Sequence, residues 1–378
     1  MDIKLIVATV LVVGILIAYQ IDQQESIPYM EKRMSEDDEQ GPLKQSKEVF
    51  EALATVNPKE KINIPWIRLP NFDEKIPGYL KYKESLLTPV RSQYDCASCW
   101  SMSVVRTLAD RISLYTNGKV KEPLSYQEMI SCWDGHGGLG CKVGGSPESA
   151  YQYIIENGIG LEKDYKYEQK NTMTIAPCKK QNIKGKRTYA QRGSVRSLCR
   201  DPYIYEEGSS AYNKVIAENV KNMQRELYIN GPFTATIMVH DSLYKYDGLS
   251  VYTGENKGKF VGGHAFNIFG AVSNPNMNGE EPGFDKAYWL CSNSWGVHHP
   301  SKNPAARGFL YIEMGKNVCG IESRASRVLP VITDEMRPHM VKNLDLVRYT
   351  SYTDYVNDPE RENYIKTAGR IKGWYKNK

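Results

Sequence analysis

The segment Pro89-Val90-Arg91-Ser92-Gln93-Tyr94-Asp95-Cys96-Ala97-Ser98-Cys99-Trp100-Ser101 is the most informative part of this 378-residue chain. It places two cysteines three positions apart, a glutamine six residues before the second cysteine, and a tryptophan directly after it. A Cys-x-x-Cys pair alone is compatible with redox, metal-binding or nucleophilic chemistry. The meaning of the segment therefore depends on motifs further along the chain.

Residues 99–114 have the periodicity of a mostly buried helix. Its apolar face consists of residues that recur every four positions and their neighbours: Trp100, Val104, Val105, Leu108, Ala109 and Ile112. Ser98 is the expected N-cap of this helix. Cys99 is therefore predicted to lie in the first turn.

The order of the other elements predicts two segregated halves. Further helices are expected over 124–130, where Ser125 and Glu128 have the spacing of a capping box, and over 148–156. A lysine-rich, irregular stretch over 163–212 predicts a long surface excursion. Apolar or alternating runs then predict strands at 233–239, 263–272, 287–292 and 308–314. Helices first and strands afterwards indicate an α+β arrangement and not a βαβ sheet.

Two later motifs could supply partners for a nucleophilic Cys99. Of the six histidines, only His264 follows two glycines at the entrance of an apolar run. Asn293 begins the only Asn-Ser-Trp-Gly sequence in the chain. A helix N-terminus and a nearby imidazolium both favour the reactive thiolate form of cysteine. Without these partners, a buried structural thiol would be the simplest interpretation of Cys99.

Three other segments also help to relate the chain to a known family. They are Gly140-Cys141-Lys142-Val143-Gly144-Gly145-Ser146-Pro147, Gly262-Gly263-His264-Ala265 and Cys319-Gly320-Ile321-Glu322-Ser323. Together with the cysteine segment and Asn-Ser-Trp-Gly, they resemble the motifs of papain-like cysteine peptidases, most closely the cathepsin B branch. The resemblance covers about residues 69–330. The spacings exceed those usual in the family, and the excursion over 163–212 accounts for the excess.

The resemblance implies a papain-like fold with an N-terminal α subdomain, a C-terminal β-barrel-like subdomain and an active-site cleft between them. It implies a thiol endopeptidase that hydrolyses polypeptides through a thioester acyl-enzyme, without metal or cofactor. Cys99 would be the nucleophile, His264 the base and Asn293 the group that orients the base. Gln93 would donate to the oxyanion. The implied substrate-binding residues are Gly144, Gly145, Pro147, Ala265, Trp295 and Arg324.

Arg324 lies where the resemblance places the floor of the S2 pocket. A positive charge there predicts acceptance of acidic P2 side chains, with a solvent-facing arginine as the alternative. Cathepsin B also has a histidine pair before its catalytic histidine that binds the substrate C-terminus. This chain lacks that pair, which favours internal cleavage, and His298-His299 is interpreted as a solvated loop.

The resemblance also implies disulfides and exposes departures from the family pattern. Cys96 would pair with Cys141, and Cys132 with Cys178 or, as the alternative, Cys199. Metal ligation by Cys96 and Cys99 would require further ligands, and no second Cys-x-x-Cys occurs. Tyr94 and Ala97 replace glycines that the family usually has. These replacements keep open a second hypothesis, a catalytically silent, membrane-tethered papain-like domain that binds peptide or protein.

The N-terminal and C-terminal segments are expected to lie outside the peptidase domain. Residues 1–21 contain an uncharged run, Leu5–Tyr19, which predicts a signal anchor or, alternatively, a cleaved signal peptide. The chain is therefore expected to be a single-pass membrane protein with its peptidase domain outside the cytoplasm. If the signal is cleaved, the protein is expected to be secreted or to reach a lysosome-like compartment. Residues 22–68 are expected to form a stalk or propeptide, 69–330 the peptidase domain and 331–378 a charged, solvated tail. The net charge of +5 gives no reason to expect nucleic-acid binding.

Overall fold

The computed structural model describes residues 64–69, 76–133, 140–169, 174–183, 185–255, 258–273, 284–296 and 308–360. The predicted anchor or signal over 1–21, nearly all of the segment 22–68, and His298-His299 lie outside these described residues. Among the described residues, no helix is long and apolar enough to cross a membrane.

Six α-helices and eight strands are defined in the described residues. In chain order they are β1 (Tyr79–Tyr82), α1 (Cys99–Tyr115), α2 (Tyr126–Cys132), α3 (Gly140–Val143), α4 (Pro147–Asn157), β2 (Arg196–Ser197), α5 (Ser210–Asn230), β3 (Phe233–His240), β4 (Phe260–Val272), β5 (Tyr288–Ser292), β6 (Phe309–Glu313), β7 (Ala325–Arg327), β8 (Arg348–Tyr349) and α6 (Tyr352–Asn357).

The predicted helices form, and both predicted N-cap residues occupy that position, but only one of them makes a side-chain capping bond. Ser125 accepts a hydrogen bond from the Glu128 backbone N–H at 3.0 Å, so the N-cap of α2 is as expected. Ser98 occupies the N-cap position of α1 but makes no side-chain capping bond. Its hydroxyl lies 3.0 Å from the Tyr167 hydroxyl instead. Ser98 therefore links the start of α1 to the excursion.

Two apolar cores match the two halves expected from the sequence. One core is built around α1, α2 and α4, and the other around the sheet and α5. The sheet has the path β2-β7-β3-β4-β1-β8, with β5 paired to β4 and β6. Within the described residues this sheet is not closed into a barrel, so the barrel-like expectation for the second half is corrected to an open sheet.

Helix α5 was not predicted from the sequence. It begins at Ser210, inside the stretch expected to be an irregular excursion, and Ser209 caps it by accepting a bond from the Tyr212 N–H at 3.2 Å. Its buried face includes Val215, Met223 and Leu227. The excursion therefore ends in a helix that closes the core of the sheet.

The interpretation of the C-terminal segment as a solvated tail is wrong for residues 331–360. Strand β8 pairs with β1, with Tyr349 opposite Lys81. Val347, Tyr349 and Tyr355 are all buried, and the Lys81 ammonium lies 3.5 Å from the centre of the Tyr355 ring. Most charged residues of this segment are exposed, whereas Arg348 is buried and paired with Asp345, so the composition alone hides the apolar residues that pack inward.

A buried arginine joins the two halves. Arg111, on α1, donates to Glu226 of α5 at 2.6 Å, to the Pro232 carbonyl at 2.7 Å and to the Val328 carbonyl at 2.8 Å. Both members of the ion pair are fully buried. Because a buried charge is costly unless it is paired and hydrogen-bonded, these contacts fix α1 against the sheet side.

Candidate active site

Cys99 is the first residue of α1 and differs from the other free cysteines in exposure. It is partly exposed, whereas Cys199, Cys291 and Cys319 are buried. The chain before it is fixed by the Cys96–Cys141 disulfide and by a bond from the Ala97 N–H to the Cys141 carbonyl at 2.8 Å. The Cys99 thiol is therefore presented at a helix N-terminus by a rigid loop. The structure also contains the Cys132–Cys178 disulfide, which leaves Cys199 free.

His264 and Asn293 form a buried hydrogen bond. His264 lies on β4 and Asn293 directly after β5, and the Nε2 atom of the ring is 2.7 Å from Asn293 Oδ1. The same oxygen accepts a bond from the Ser294 N–H at 2.8 Å. Because an amide oxygen only accepts, Nε2 carries the proton and Nδ1 is left as the basic atom of the neutral ring.

Aromatic rings shield this bond. The Trp295 ring stacks on the His264 ring with centroids 4.6 Å apart and on the Tyr244 ring with centroids 5.1 Å apart. His264 is only 4% exposed. Exclusion of water strengthens the hydrogen bond that orients the imidazole.

The loop of Gln93 is bonded to the loop of Asn293. The Gln93 N–H donates to the Ser294 carbonyl at 2.7 Å, and the Gly296 N–H donates to the Arg91 carbonyl at 3.0 Å. The Ser294 hydroxyl donates to Gln93 Oε1 at 2.7 Å, and Gln93 Nε2 donates to the Cys96 carbonyl at 3.0 Å. The amide is thus fixed with its nitrogen toward the cysteine loop, and its second N–H remains for another acceptor.

The surroundings of the Cys99 thiol act on its ionisation in opposite directions. Burial raises the pKa of this thiol, while hydrogen bonds from the backbone of Ala265, Trp100 and Cys99 itself lower it. The contact with Ala265 places the thiol beside the residue that follows His264. Burial is the largest of these influences, so the pKa of the Cys99 thiol lies above its ordinary value.

The two glycine replacements have different structural consequences. Tyr94 adopts φ 51°, a left-handed conformation that costs a tyrosine roughly 1–2 kcal/mol. It stacks on Tyr167 with centroids 6.5 Å apart. Ala97 lies against Gly144, where an added Cβ would be 3.6 Å from the Ala97 Cβ. Gly145 has no room for a side chain, because a Cβ there would be 2.8 Å from the Trp100 ring.

Two of the residues predicted to bind substrate, Ala265 and Arg324, lie beside Thr236, which the sequence did not reveal. Thr236 on β3 lies opposite Ala265 on β4, and its N–H donates to the Arg324 carbonyl at 2.9 Å. Arg324 is exposed. Pro147 is buried as the first residue of α4. Thr236 was missed because only the register of the two strands shows what faces Ala265.

Ser294 was also missed as a separate functional candidate. Its hydroxyl bond to Gln93 is internal to the motifs already identified, so the only available signal was its place between Asn293 and Trp295. Among the described residues, no group of three or more histidine, cysteine or carboxylate side chains could hold a metal ion.

Residues 77–329 match the family model described as papain family cysteine protease. A gut-specific cysteine proteinase from Caenorhabditis elegans is 34% identical over 236 residues, which cover 62% of this chain and 66% of the relative. Cathepsin B-like cysteine proteinase 3 from the same nematode is 34% identical over 241 residues, which cover 62% of this chain and 59% of the relative. The chain therefore spans slightly less than two thirds of the length of these two relatives.

Two solved structures have the same fold. The match to procathepsin B S9 of Trypanosoma congolense has a TM-score of 0.54 at 22% identity. It covers 71% of this chain and 83% of the procathepsin chain. The digestive procathepsin L 3 of the Tenebrio molitor larval midgut has a TM-score of 0.52 at 22% identity, with coverages of 74% and 79%. At this identity the likeness shows the fold alone, and the predicted papain-like α+β fold is confirmed.

Proposed function

The chain belongs to the papain family of cysteine proteases, in its cathepsin B branch, and we propose that it hydrolyses internal peptide bonds through a thioester acyl-enzyme. The observation that carries the proposal is the 2.7 Å bond between His264 Nε2 and Asn293 Oδ1, with the Cys99 thiol beside the neighbouring Ala265. This bond leaves Nδ1 of the imidazole to take the thiol proton.

In the proposed reaction, Cys99 Sγ attacks the scissile carbonyl carbon after its proton has passed to His264. The imidazolium then protonates the leaving amine, and the peptide bond breaks to leave a thioester. Water, deprotonated by the same ring, attacks the thioester and releases the acid. Asn293 keeps the ring in the required orientation throughout.

The proposed oxyanion site uses the second N–H of Gln93 and the backbone N–H of Cys99. Its support is the immobilised amide of Gln93, which is 1% exposed and bonded at both its oxygen and its nitrogen. Donors that are oriented before the reaction lower the barrier most, because no reorganisation is needed in the transition state.

The proposed S2 pocket is bounded by Ala265, Thr236 and Arg324, with Gly144 and Gly145 offering backbone to the substrate. Arg324 is exposed and its carbonyl is held by the Thr236 N–H, so its guanidinium can donate hydrogen bonds to a carboxylate at P2. A library varied at P2 tests this role. If glutamate at P2 is cleaved no better by the wild type than by Arg324→Ala, the arginine faces solvent instead.

We further infer that the peptidase is made as a precursor and acts outside the cytoplasm. Two disulfides are compatible with an oxidising compartment, and the similarity to cathepsin B-like proteinases supports secretion or a lysosome-like location. The run Leu5–Tyr19 would retain the chain in the membrane as a single-pass anchor. Carbonate extraction tests the anchor, and release with a new N-terminus near Ala18 would show a cleaved signal.

Hydrolysis by a set of matched variants tests the proposed chemistry. Cys99→Ala should abolish peptide hydrolysis and His264→Ala should nearly do so, whereas Asn293→Ala should leave weak activity because it only orients the base. Cys291→Ala, at a buried free thiol, is the control and should keep wild-type activity. Retained hydrolysis in Cys99→Ala would show that the nucleophile lies elsewhere.

A silent binding domain is the second candidate function. The observations that favour it are the left-handed conformation of Tyr94 and the raised pKa of the Cys99 thiol. In that case the chain would bind peptide without releasing an amine, and variants of Cys99 would bind as tightly as the wild type.

A further inference from the structure

An exposed apolar surface patch, called the apolar edge below, lies beside strand β3. It consists of Tyr203, Ile204 and Tyr205, which precede α5, and Met238 on β3. Ile204 is 68% exposed, Tyr203 45%, and Tyr205 and Met238 39% each. The first three residues belong to the excursion that lengthens this chain between its cysteine and histidine motifs. Four large apolar side chains this exposed and this close together mark a binding surface.

The apolar edge is held in place by hydrogen bonds. The Tyr203 hydroxyl accepts a bond from Asn317 Nδ2 at 3.2 Å and from the Ser323 hydroxyl at 3.4 Å. The Tyr203 ring packs on Tyr212 with centroids 6.2 Å apart. The backbone turns back on itself, since the Tyr205 N–H donates to the Pro202 carbonyl at 3.1 Å. Ile204 is thus presented to solvent by an anchored turn.

The apolar edge continues the surface of the proposed S2 pocket. Tyr203 contacts Ser323, the residue before Arg324. Met238 lies two residues after Thr236 on β3, so both point to the same face of the sheet. A Cβ at Gly320 would lie 3.3 Å from the Tyr203 hydroxyl and 3.8 Å from Met238 Cε. Tyr203 and Met238 therefore lie close together beside Gly320.

We propose that the apolar edge binds the P4 side chain of the polypeptide substrate and selects bulky apolar residues there. Side chains of an extended peptide alternate between its two sides, with about 6.6 Å between every second residue. P4 is therefore the next side chain on the same side as P2, displaced toward Ser323 and Tyr203. The inference rests on the proposed peptidase function and adds a substrate preference to it.

The charges around the apolar edge favour a polypeptide over a lipid surface as its occupant. Asp201, Glu206 and Glu207 flank the edge and are all exposed. Carboxylates so placed are repelled by anionic headgroups, whereas a peptide needs only apolar contact at one position. Because the apolar edge adjoins the Arg324 region, a peptide bound at the proposed S2 pocket would extend toward the edge.

The test compares Ile204→Ser with Leu346→Ser in the full chain. Leu346 is 67% exposed, almost the same as Ile204, but lies in the C-terminal turn before β8. The substrates are two fluorogenic tetrapeptides that differ only in leucine or serine at P4, and a dipeptide substrate that ends at P2. Burial of roughly 40 Å² of apolar surface predicts that the wild type prefers leucine about fivefold in kcat/KM.

The expected result is that Ile204→Ser reduces this preference below about twofold, whereas Leu346→Ser keeps it and all three proteins cleave the dipeptide equally. An unchanged preference in Ile204→Ser, or no preference in the wild type, overturns the proposal. Binding of the same tetrapeptides to Cys99→Ala, followed by fluorescence anisotropy, provides a readout that needs no hydrolysis. If the wild type cleaves nothing, the peptidase function fails, and the anisotropy preference for leucine still decides whether the edge binds P4.

Discussion

Ser294→Ala removes a hydroxyl whose only described side-chain bond is to Gln93 Oε1, at 2.7 Å. Both residues are buried, so the substitution leaves an amide oxygen without its donor. A buried neutral hydrogen bond contributes about 0.5–1.5 kcal/mol, and an unsatisfied partner costs about 1–3 kcal/mol. Part of this loss will appear as rotation of the Gln93 amide away from the oxyanion. We therefore expect kcat to fall roughly tenfold with little change in KM.

The loss of kcat in Gln93→Ala sets the scale for the loss expected in Ser294→Ala. Removal of a side-chain oxyanion donor by Gln93→Ala should cost about 10²–10³ in kcat. If Ser294 acts only by orienting Gln93, then Ser294→Ala in the Gln93→Ala background should have almost no further effect. Steady-state kinetics of the two single variants and the double variant measure the coupling. A further tenfold loss in the double variant would show that Ser294 acts independently of Gln93.

Three more predictions test the ionisation of the nucleophile and the two packing features. In His264→Ala, alkylation of Cys99 should be slow at pH 7 and rise only above the ordinary thiol pKa of about 8.5, because burial raises the pKa of this thiol; fast alkylation at pH 7 would show that the imidazole is not needed. Arg111→Met should lower the free energy of unfolding by about 3 kcal/mol in urea, because it leaves buried Glu226 with Arg327 as its remaining ion-pair partner and removes the donor of the Pro232 and Val328 carbonyls. Tyr355→Ala should cost about 3–5 kcal/mol, because the ring is 2% exposed and covers Lys81; a change below about 1 kcal/mol would mean that the C-terminal segment is not part of the folded domain.

Local patterns predicted the elements with a clear period. Helix α1 and strands β3 to β6 lie within a few residues of their expected bounds, because each carries a strong apolar repeat. Helix α5 has an equally readable repeat, with Val215, Met223 and Leu227 on one face. It was missed because its first three residues fall in the stretch expected to be irregular, and its many polar residues concealed the repeat over 213–230.

Non-local pairing explains what the sequence could not reveal. Strand β8 has only two residues, and its register opposite β1 depends on chain segments more than 260 residues apart. The same holds for Thr236, whose place beside Ala265 and Arg324 follows from strand pairing. The motif residues Gln93, His264 and Asn293 were identified because their segments resemble the motifs of papain-like peptidases, whereas the bonds between their loops are visible only in the folded chain.

The most direct test of the central claim is labelling of the full chain with a thiol-directed epoxide, followed by peptide mapping. The reagent needs an activated thiolate in a cleft that binds peptide. We predict stoichiometric modification of Cys99 alone among the four free cysteines, with loss of peptide hydrolysis in the same proportion. No modification of Cys99 in a protein that still binds peptide would contradict the peptidase account and leave the silent binding domain in its place.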